Sequence, residues 1–307
     1  NLEQVSTLIS FKVDPDSNVL PQVKHVTVTY DTLDVFEIQT EGSRLVIKGN
    51  NANSMAMGLN YYLKNYCDVT VSWHVFDPIE YPDEMPAVDS LVKIQARTQE
   101  RFFLNYCTYG YTMPWWKWED WERLIDWMAL NGVTMPLATS GQEAIWQQIW
   151  MKHGLSDEEV RTYFTGPAHL GWHRMTNIDK FDGPLPQGWI DSQVELQKKI
   201  LKRERELNMT PVLPAFTGHV PEQIKDIYPD AQITRVPAWG GFEEEYLCNF
   251  LSPMDPLFAQ IQIAFAYLEE HLYIPAFSIN PYDFILIQIY ICGNEAEVFL
   301  AFITVAT

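Results

Sequence analysis

Asn105 and Cys107 close the apolar run Phe102-Phe103-Leu104, and Tyr109, Tyr111, Trp115, Trp116 and Trp118 follow closely behind them. A second polar cluster, Thr139-Ser140-Gly141-Gln142-Glu143, comes straight after Val133-Thr134-Met135-Pro136-Leu137-Ala138. A third, Thr217-Gly218-His219, comes straight after Pro211-Val212-Leu213-Pro214-Ala215-Phe216. Amides and hydroxyls both donate and accept hydrogen bonds, a carboxylate accepts, and an imidazole does either. Aromatic rings add flat apolar faces with polar edges, onto which the axial C–H patches of a sugar can stack. Gathered in one hollow, these groups would suit the hydroxyls and acetamido group of a carbohydrate. Each cluster also has a plainer reading. The Trp-rich stretch fits a core, Ser140 and Glu143 fit a helix capping box, and His219 fits an oriented structural histidine. The capping and binding readings of Ser140 and Glu143 can both hold.

The elements that would position these clusters follow from periodicity. From about residue 93, short apolar runs alternate with amphipathic helices, as parallel βα units do. "RFFLNYC" reads as a strand, "KWEDWERLIDWMALNG" as a helix ending at Asn131-Gly132, and "VTMPLA" as a strand. "GQEAIWQQIWMKHG" reads as a helix. "SDEEVRTYF" reads as another, with Ser156 as N-cap and acids in the first turn. "DSQVELQKKILKRERELN" reads as a long helix capped by Asp191 or Ser192, and "TPVLPAF" as a buried strand. No glycine-rich phosphate loop follows the first strand, which argues against a nucleotide-binding sheet. The fold expected is α/β, a TIM (β/α)8-type barrel whose site lies at the C-terminal ends of the strands.

A small α+β domain is expected over residues 1–92 and a partial (β/α)8 catalytic domain over 93–307. In the first, "HVTVTYD", "DVFEIQTE", "RLVIKG" and "VTVSW" read as strands. "SMAMGLNYYLKNYC" reads as a helix capped by Asn53 or Ser54. The Pro-rich "DPIEYPDEMPAVDS" reads as the boundary.

Composition narrows the partners. The net charge of -19, from 21 Lys+Arg against 40 Asp+Glu, argues against nucleic acid and anionic membrane, which both call for a basic surface. No apolar run reaches the length of a membrane span. Cys67, Cys107, Cys248 and Cys292 show no CxxC spacing, so they read as buried free thiols, not as a zinc site or disulfide framework. His169 and His173 read as surface or hydrogen-bonding residues without a carboxylate at metal-ligand spacing, and no metal or cofactor is expected. The chain opens at Asn1 without methionine, which suggests removal of an upstream segment.

"RFFLNYCTYGYTMPWWKWEDWERLIDWMALNGVTMPLATSGQEAIWQ", "FTGPAHLGWHRM", "DGPLPQGW" and "MTPVLPAFTGHVPE" closely resemble the α-N-acetylglucosaminidases of glycoside hydrolase family 89, in family order, over roughly residues 95–270. The resemblance implies exo-hydrolysis of terminal α-linked N-acetylglucosamine, as in heparan sulfate or mucin-type glycans, with retention of configuration. It also implies an extracytoplasmic location. Carried over by motif, Asn105, Cys107, Gln142, Glu143, Trp172 and Met175 become expected contacts of the terminal sugar.

The chain departs from the family pattern where the chemistry is expected. Retaining hydrolysis uses two carboxyl groups about 5–5.5 Å apart. The resemblance implies a Phe-Asn-Glu motif soon after residue 270 and a second glutamate later. The motif is absent, Asn294-Glu295 only imitates it, and the tail from about residue 271 is atypically apolar. Catalytic residues are therefore left unassigned. The expectation is a hydrolase represented by its N-terminal domain and a truncated barrel. The alternative is an inactive fragment or a sugar-binding protein that keeps part of the pocket.

Overall fold

The computed structural model of the protein describes residues 33–273 and the strands Ile285–Cys292 and Glu297–Ile303. The expected strand "HVTVTYD" and the Asn294-Glu295 pair lie outside the described residues. The chain divides into two compact units. One holds the chain up to Phe103 with Asp120–Pro136 and Arg203–Thr210; the other holds Leu104–Glu119, Leu137–Lys202 and the chain from Pro211.

The first unit begins with β1 (Val35–Glu41) and β2 (Arg44–Gly49), an antiparallel pair in which Ile38 faces Ile47. Helix α1 (Ala52–Tyr66) packs on this pair, and β3 (Val92–Gln95) pairs antiparallel with β1. Phe36, Ile38, Leu45, Ile47, Tyr62 and Val88 form the core. Gly58 permits the close approach, because a Cβ there would meet Ile47 Cγ2 at 2.8 Å and Phe36 Cβ at 3.3 Å. The helix cap is Asn51, whose Oδ1 accepts from Ser54 N–H at 2.8 Å. Asn53 and Ser54, the expected caps, are otherwise engaged: Asn53 donates to the Val133 carbonyl and Ser54 to Asn50.

"VTVSW" forms no strand. Asp68 takes a left-handed conformation (φ 56°) and Val69 N–H donates back to the Leu63 carbonyl at 2.9 Å. The left-handed residue and this backward bond end the helix and divert the backbone from a sheet ladder. The Pro-rich stretch returns along β1: Val88 N–H donates to Thr40 Oγ1 and its carbonyl accepts from Thr40 N–H.

Beyond it the chain runs β4 (Phe102–Phe103), α2 (Tyr106–Thr112), α3 (Trp118–Leu130), β5 (Met135–Pro136), α4 (Gln142–Lys152), α5 (Asp157–Tyr163), α6 (Leu170–Arg174) and α7 (Gln187–Glu206). Next come β6 (Val212–Pro214), β7 (His219–Val220), α8 (Ile224–Ile227), β8 (Ile233–Arg235), β9 (Asn249–Leu251), α9 (Pro256–Tyr273), β10 (Ile285–Cys292) and β11 (Glu297–Ile303). β4 pairs in parallel with β5, the next residue Leu137 bridges Val212 in parallel, and β6 pairs in parallel with β10. β11 returns antiparallel along β10, and β7, β9 and β8 form a small antiparallel sheet.

Two expected elements differ. "RFFLNYC" is a strand only at Phe102–Phe103. Asn105 then caps α2, so Cys107 and Tyr109 lie on a helix. Helix α7 begins at Gln187, ahead of Asp191, because Trp189 and Ile190 N–H groups already bond the Pro186 carbonyl. Ser156 caps α5 as expected, and the structure adds a full capping box in which Glu159 is its reciprocal partner. The second unit has its own aromatic core. Trp146 lies 4.3 Å from Phe265 and 5.5 Å from Phe216 between ring centroids, and Trp150 is fully buried beside them.

Candidate functional site

Two glycines bring α2 and α6 together. A Cβ on Gly171 would meet the Tyr106 carbonyl oxygen at 2.8 Å, and one on Gly110 would meet Trp172 Cζ3 at 2.8 Å. The approach sets Cys107 Sγ 3.8 Å from Met175 Sδ and places the Tyr111 ring edge-on to Trp172, centroids 5.7 Å apart at 87°. Asn105 Oδ1 accepts from both Thr108 N–H and Thr108 Oγ1 at 2.9 Å, so its carbonyl oxygen is occupied as the helix cap.

Helix α4 starts differently from the capping-box expectation. Its N-cap is Gly141 at φ 75°, a conformation that favours glycine, and a Cβ there would also collide with the Tyr273 hydroxyl. Tyr273 donates to the Gly141 carbonyl at 2.6 Å. Glu143 does not reach back to Ser140. It accepts from Arg174 Nε at 2.9 Å and from Nη2 at 3.0 Å, a bidentate pair with both side chains almost fully enclosed. The guanidinium carbon of Arg174 sits 4.4 Å from the centre of the Tyr109 ring. Burial works against the charge on Arg174, but the adjacent carboxylate outweighs it and holds the pKa above the ordinary value. Burial pushes the Tyr109 phenol up to about 12.

A second buried group lies beside the first. His219 Nε2 is 2.6 Å from Asp179 Oδ1, and His173 Nδ1 is 3.2 Å from the same oxygen and 3.2 Å from the Ile178 carbonyl. Cys248 donates to Asp179 Oδ1 at 3.4 Å. His173, expected at the surface or in hydrogen bonds, is a buried hydrogen-bonding residue. Burial pushes its pKa down, in part against the neighbouring carboxylate. Burial alone would raise Asp179, yet the two imidazoles hold its carboxyl below the usual range. The Cys248 thiol is pushed up by burial and then by Asp179. Of the described free cysteines, Cys248 is buried as expected, whereas Cys67 and Cys107 are only half-buried.

A cavity joins the two groups, lined among others by Tyr106, Gln142, Glu143, Tyr163, His173, Arg174, Thr217 and His219. Of the six expected sugar contacts, Gln142 and Glu143 line it. Cys107 and Met175 touch one another, and Asn105 and Trp172 stand outside its lining. The six are nonetheless tied together: α6 carries Trp172 and the Arg174 that grips Glu143, and the same guanidinium covers the α2 residue Tyr109. Arg174 and Asp179 were not singled out from sequence. Arg174 lies inside "GWHRM", between two residues that were, whereas nothing local marks Asp179.

Parallel strands followed by helices, with buried polar side chains collected past the strand ends, define a TIM-barrel-type domain. The chain belongs to the α-N-acetylglucosaminidase family. Residues 101–283 match the alpha-N-acetylglucosaminidase (NAGLU) tim-barrel domain and residues 9–87 match the N-terminal domain of the same family. The chain is 40% identical to human alpha-N-acetylglucosaminidase over 246 residues, 80% of this chain and 33% of that protein. Among solved structures it is similar to the family 89 glycoside hydrolase of Clostridium perfringens in complex with its substrate GlcNAc-alpha-1,4-galactose. There the TM-score is 0.75 at 34% identity, covering 81% of this chain and 28% of that one. The complex of the Clostridium perfringens family 89 enzyme with 2-acetamido-1,2-dideoxynojirmycin matches with a TM-score of 0.73 at 34% identity, covering 81% and 29%. The chain thus spans about a third of the relatives it matches.

Proposed function

We propose that this chain forms part of a retaining glycoside hydrolase that removes terminal α-linked N-acetylglucosamine from glycans, and that its cavity contributes one wall of the pocket for that sugar. The observation that carries the reading is the enclosed polar group on α4 and α6, Gln142, Glu143 and Arg174, set among aromatic rings in a barrel-type domain. Relatives bound to N-acetylglucosamine-type ligands support it. Asn105, Cys107, Gln142, Glu143, Trp172 and Met175 are the proposed contacts. Residues up to 92 act as the α+β domain and those beyond as part of a barrel.

Glu143 at the cavity and Asp179 behind its two histidines are not the acid/base pair in this reading. Glu143 is held by Arg174, and Asp179 by two imidazoles. Glu143 and the imidazoles that Asp179 holds orient the sugar, while a pair of carboxyl groups, unassigned among the described residues, carries out the displacement. The target glycans place the protein outside the cytoplasm.

The test is titration of the chain with N-acetylglucosamine, followed by tryptophan fluorescence. It is joined to release of 4-nitrophenol from 4-nitrophenyl α-N-acetylglucosaminide by the protein that contains this chain. Saturable binding that glucose does not compete away, together with release, supports the proposal. The absence of both binding and release overturns it.

A further inference from the structure

The cluster of His173, Asp179 and His219 is built with more constraint than a cavity wall needs. His173 is held on α6, which Gly171 seats against α2. Asp179 is fixed by its own N–H, which donates to the Tyr246 carbonyl at 2.9 Å. His219 opens β7 directly after Gly218, whose φ of 102° no ordinary side chain would share. Tyr163 stands edge-on to both rings, 4.8 Å from His173 and 5.1 Å from His219 between centroids, so neither imidazole can turn freely.

The partners decide where the protons are. A carbonyl and an ionised carboxylate only accept, so His173 Nδ1, facing Ile178 O and Asp179 Oδ1, must carry hydrogen. By the same argument His219 Nε2 carries hydrogen toward Asp179. Among the described residues neither His173 Nε2 nor His219 Nδ1 has a hydrogen-bond partner, and both rings line the cavity.

We propose that Asp179 is a positioning residue that fixes His219 as the Nε2–H tautomer and His173 as the Nδ1–H tautomer, so that His219 Nδ1 and His173 Nε2 serve as hydrogen-bond acceptors for sugar hydroxyls. The ligand class rests on the hydrolase reading above. Sugar hydroxyls are donors as well as acceptors, and the Arg174 guanidinium in the same lining supplies donors only, so a neutral acceptor edge complements it. A shared metal ion does not fit the spacing. Two ligands of one tetrahedral zinc, each about 2.0–2.2 Å from it, lie roughly 3.3 Å apart. His219 Nε2 and Asp179 Oδ1 are separated by 2.6 Å, a hydrogen-bond distance.

The experiment is long-range proton–nitrogen correlation on the full chain labelled with 15N-histidine at neutral pH, alone, with N-acetylglucosamine and with zinc chloride. The expected spectrum shows neutral Nδ1–H for one ring, the minority form of free histidine, and neutral Nε2–H for the other. The sugar should shift only the two unprotonated nitrogens. Asp179→Asn should stay folded, lose the single-tautomer pattern, and weaken sugar binding about tenfold. An imidazolium pattern in either ring, the opposite tautomers, or loss of the ring N–H signals on adding zinc would each overturn the proposal. Correct tautomers with no response to the sugar would instead sink the hydrolase reading, and with it the ligand assigned to this edge.

Discussion

Arg174 meets both carboxylate oxygens of Glu143 from the last turn of a five-residue helix, across 31 positions of sequence. Taking a charge out of water is costly, and a buried pair survives because each partner compensates the other. Truncating one alone leaves the second uncompensated. Glu143→Ala or Arg174→Ala is expected to destabilise the chain by about 3–5 kcal/mol. Glu143→Ala combined with Arg174→Ala should cost clearly less than the sum of the two single losses. The check is urea unfolding of the two singles and the double. Additive losses in the double would show that the pair is not acting as a unit.

The contact between α2 and α6 makes a second expectation. Gly171 lies where a Cβ would meet backbone, the Tyr106 carbonyl oxygen at 2.8 Å, and backbone does not yield as a flexible side chain does. Gly171→Ala should therefore cost about 1–3 kcal/mol, the usual scale for overpacking. Its geometric effect is more telling, because α6 carries Trp172, Arg174 and Met175 in or beside it. Circular dichroism in the near ultraviolet should change together with the melting temperature. A Gly171→Ala variant with unchanged stability would mean that the close approach is not needed.

Trp172 is held by an edge contact to Tyr111 and lies 6.4 Å from the Trp239 ring centre, while remaining partly exposed. A ring in that setting offers one face to a ligand. If it stacks on the sugar, Trp172→Ala should weaken N-acetylglucosamine binding by roughly 2- to 10-fold, the range that aromatic contacts supply beyond area burial. Calorimetric titration of the folded variant would measure this. An unchanged dissociation constant would remove Trp172 from the pocket, leaving the assignments of Gln142 and Glu143 intact.

What sequence reveals here depends on range. Ser156 and Glu159 meet within one turn, so their capping box is readable from four letters. The strands at Met135–Pro136 and Val212–Pro214 stand out as apolar runs between polar clusters, although only their centres pair. "RFFLNYC" misleads because aromatic side chains favour strands, and the signal that wins is Asn105 as a cap. "VTVSW" misleads for a similar reason: β-branched residues lose to the left-handed Asp68 that ends α1. The polar site is read least completely. Glu143 looks like a cap until Arg174 is placed beside it. Asp179 acquires meaning only when His219, 40 positions away, folds onto it. Motif resemblance recovers Gln142 and Glu143 as residues of the cavity but does not say that Glu143 is already engaged.

Glu204 supplies the pH-dependent expectation. It lies on α7, is 1% exposed, and among the described residues its Oε2 has no hydrogen-bond partner. Burial raises its pKa well above the usual carboxylate value, with Arg205 opposing only in part. In the unfolded chain the group titrates near about 4.3. Because the folded-state pKa is the higher one, the folded chain holds its proton more tightly. The group's contribution to stability is fully present below the unfolded pKa and is lost as pH rises through the folded one. Glu204→Gln removes the titration and keeps the shape. The variant should therefore unfold at higher urea concentration than the parent at about pH 7, and the gap should close near about pH 4, where the parent is protonated in both states. Parallel unfolding midpoints across that range would show that Glu204 finds a partner or water in solution and is not carried neutral in the fold.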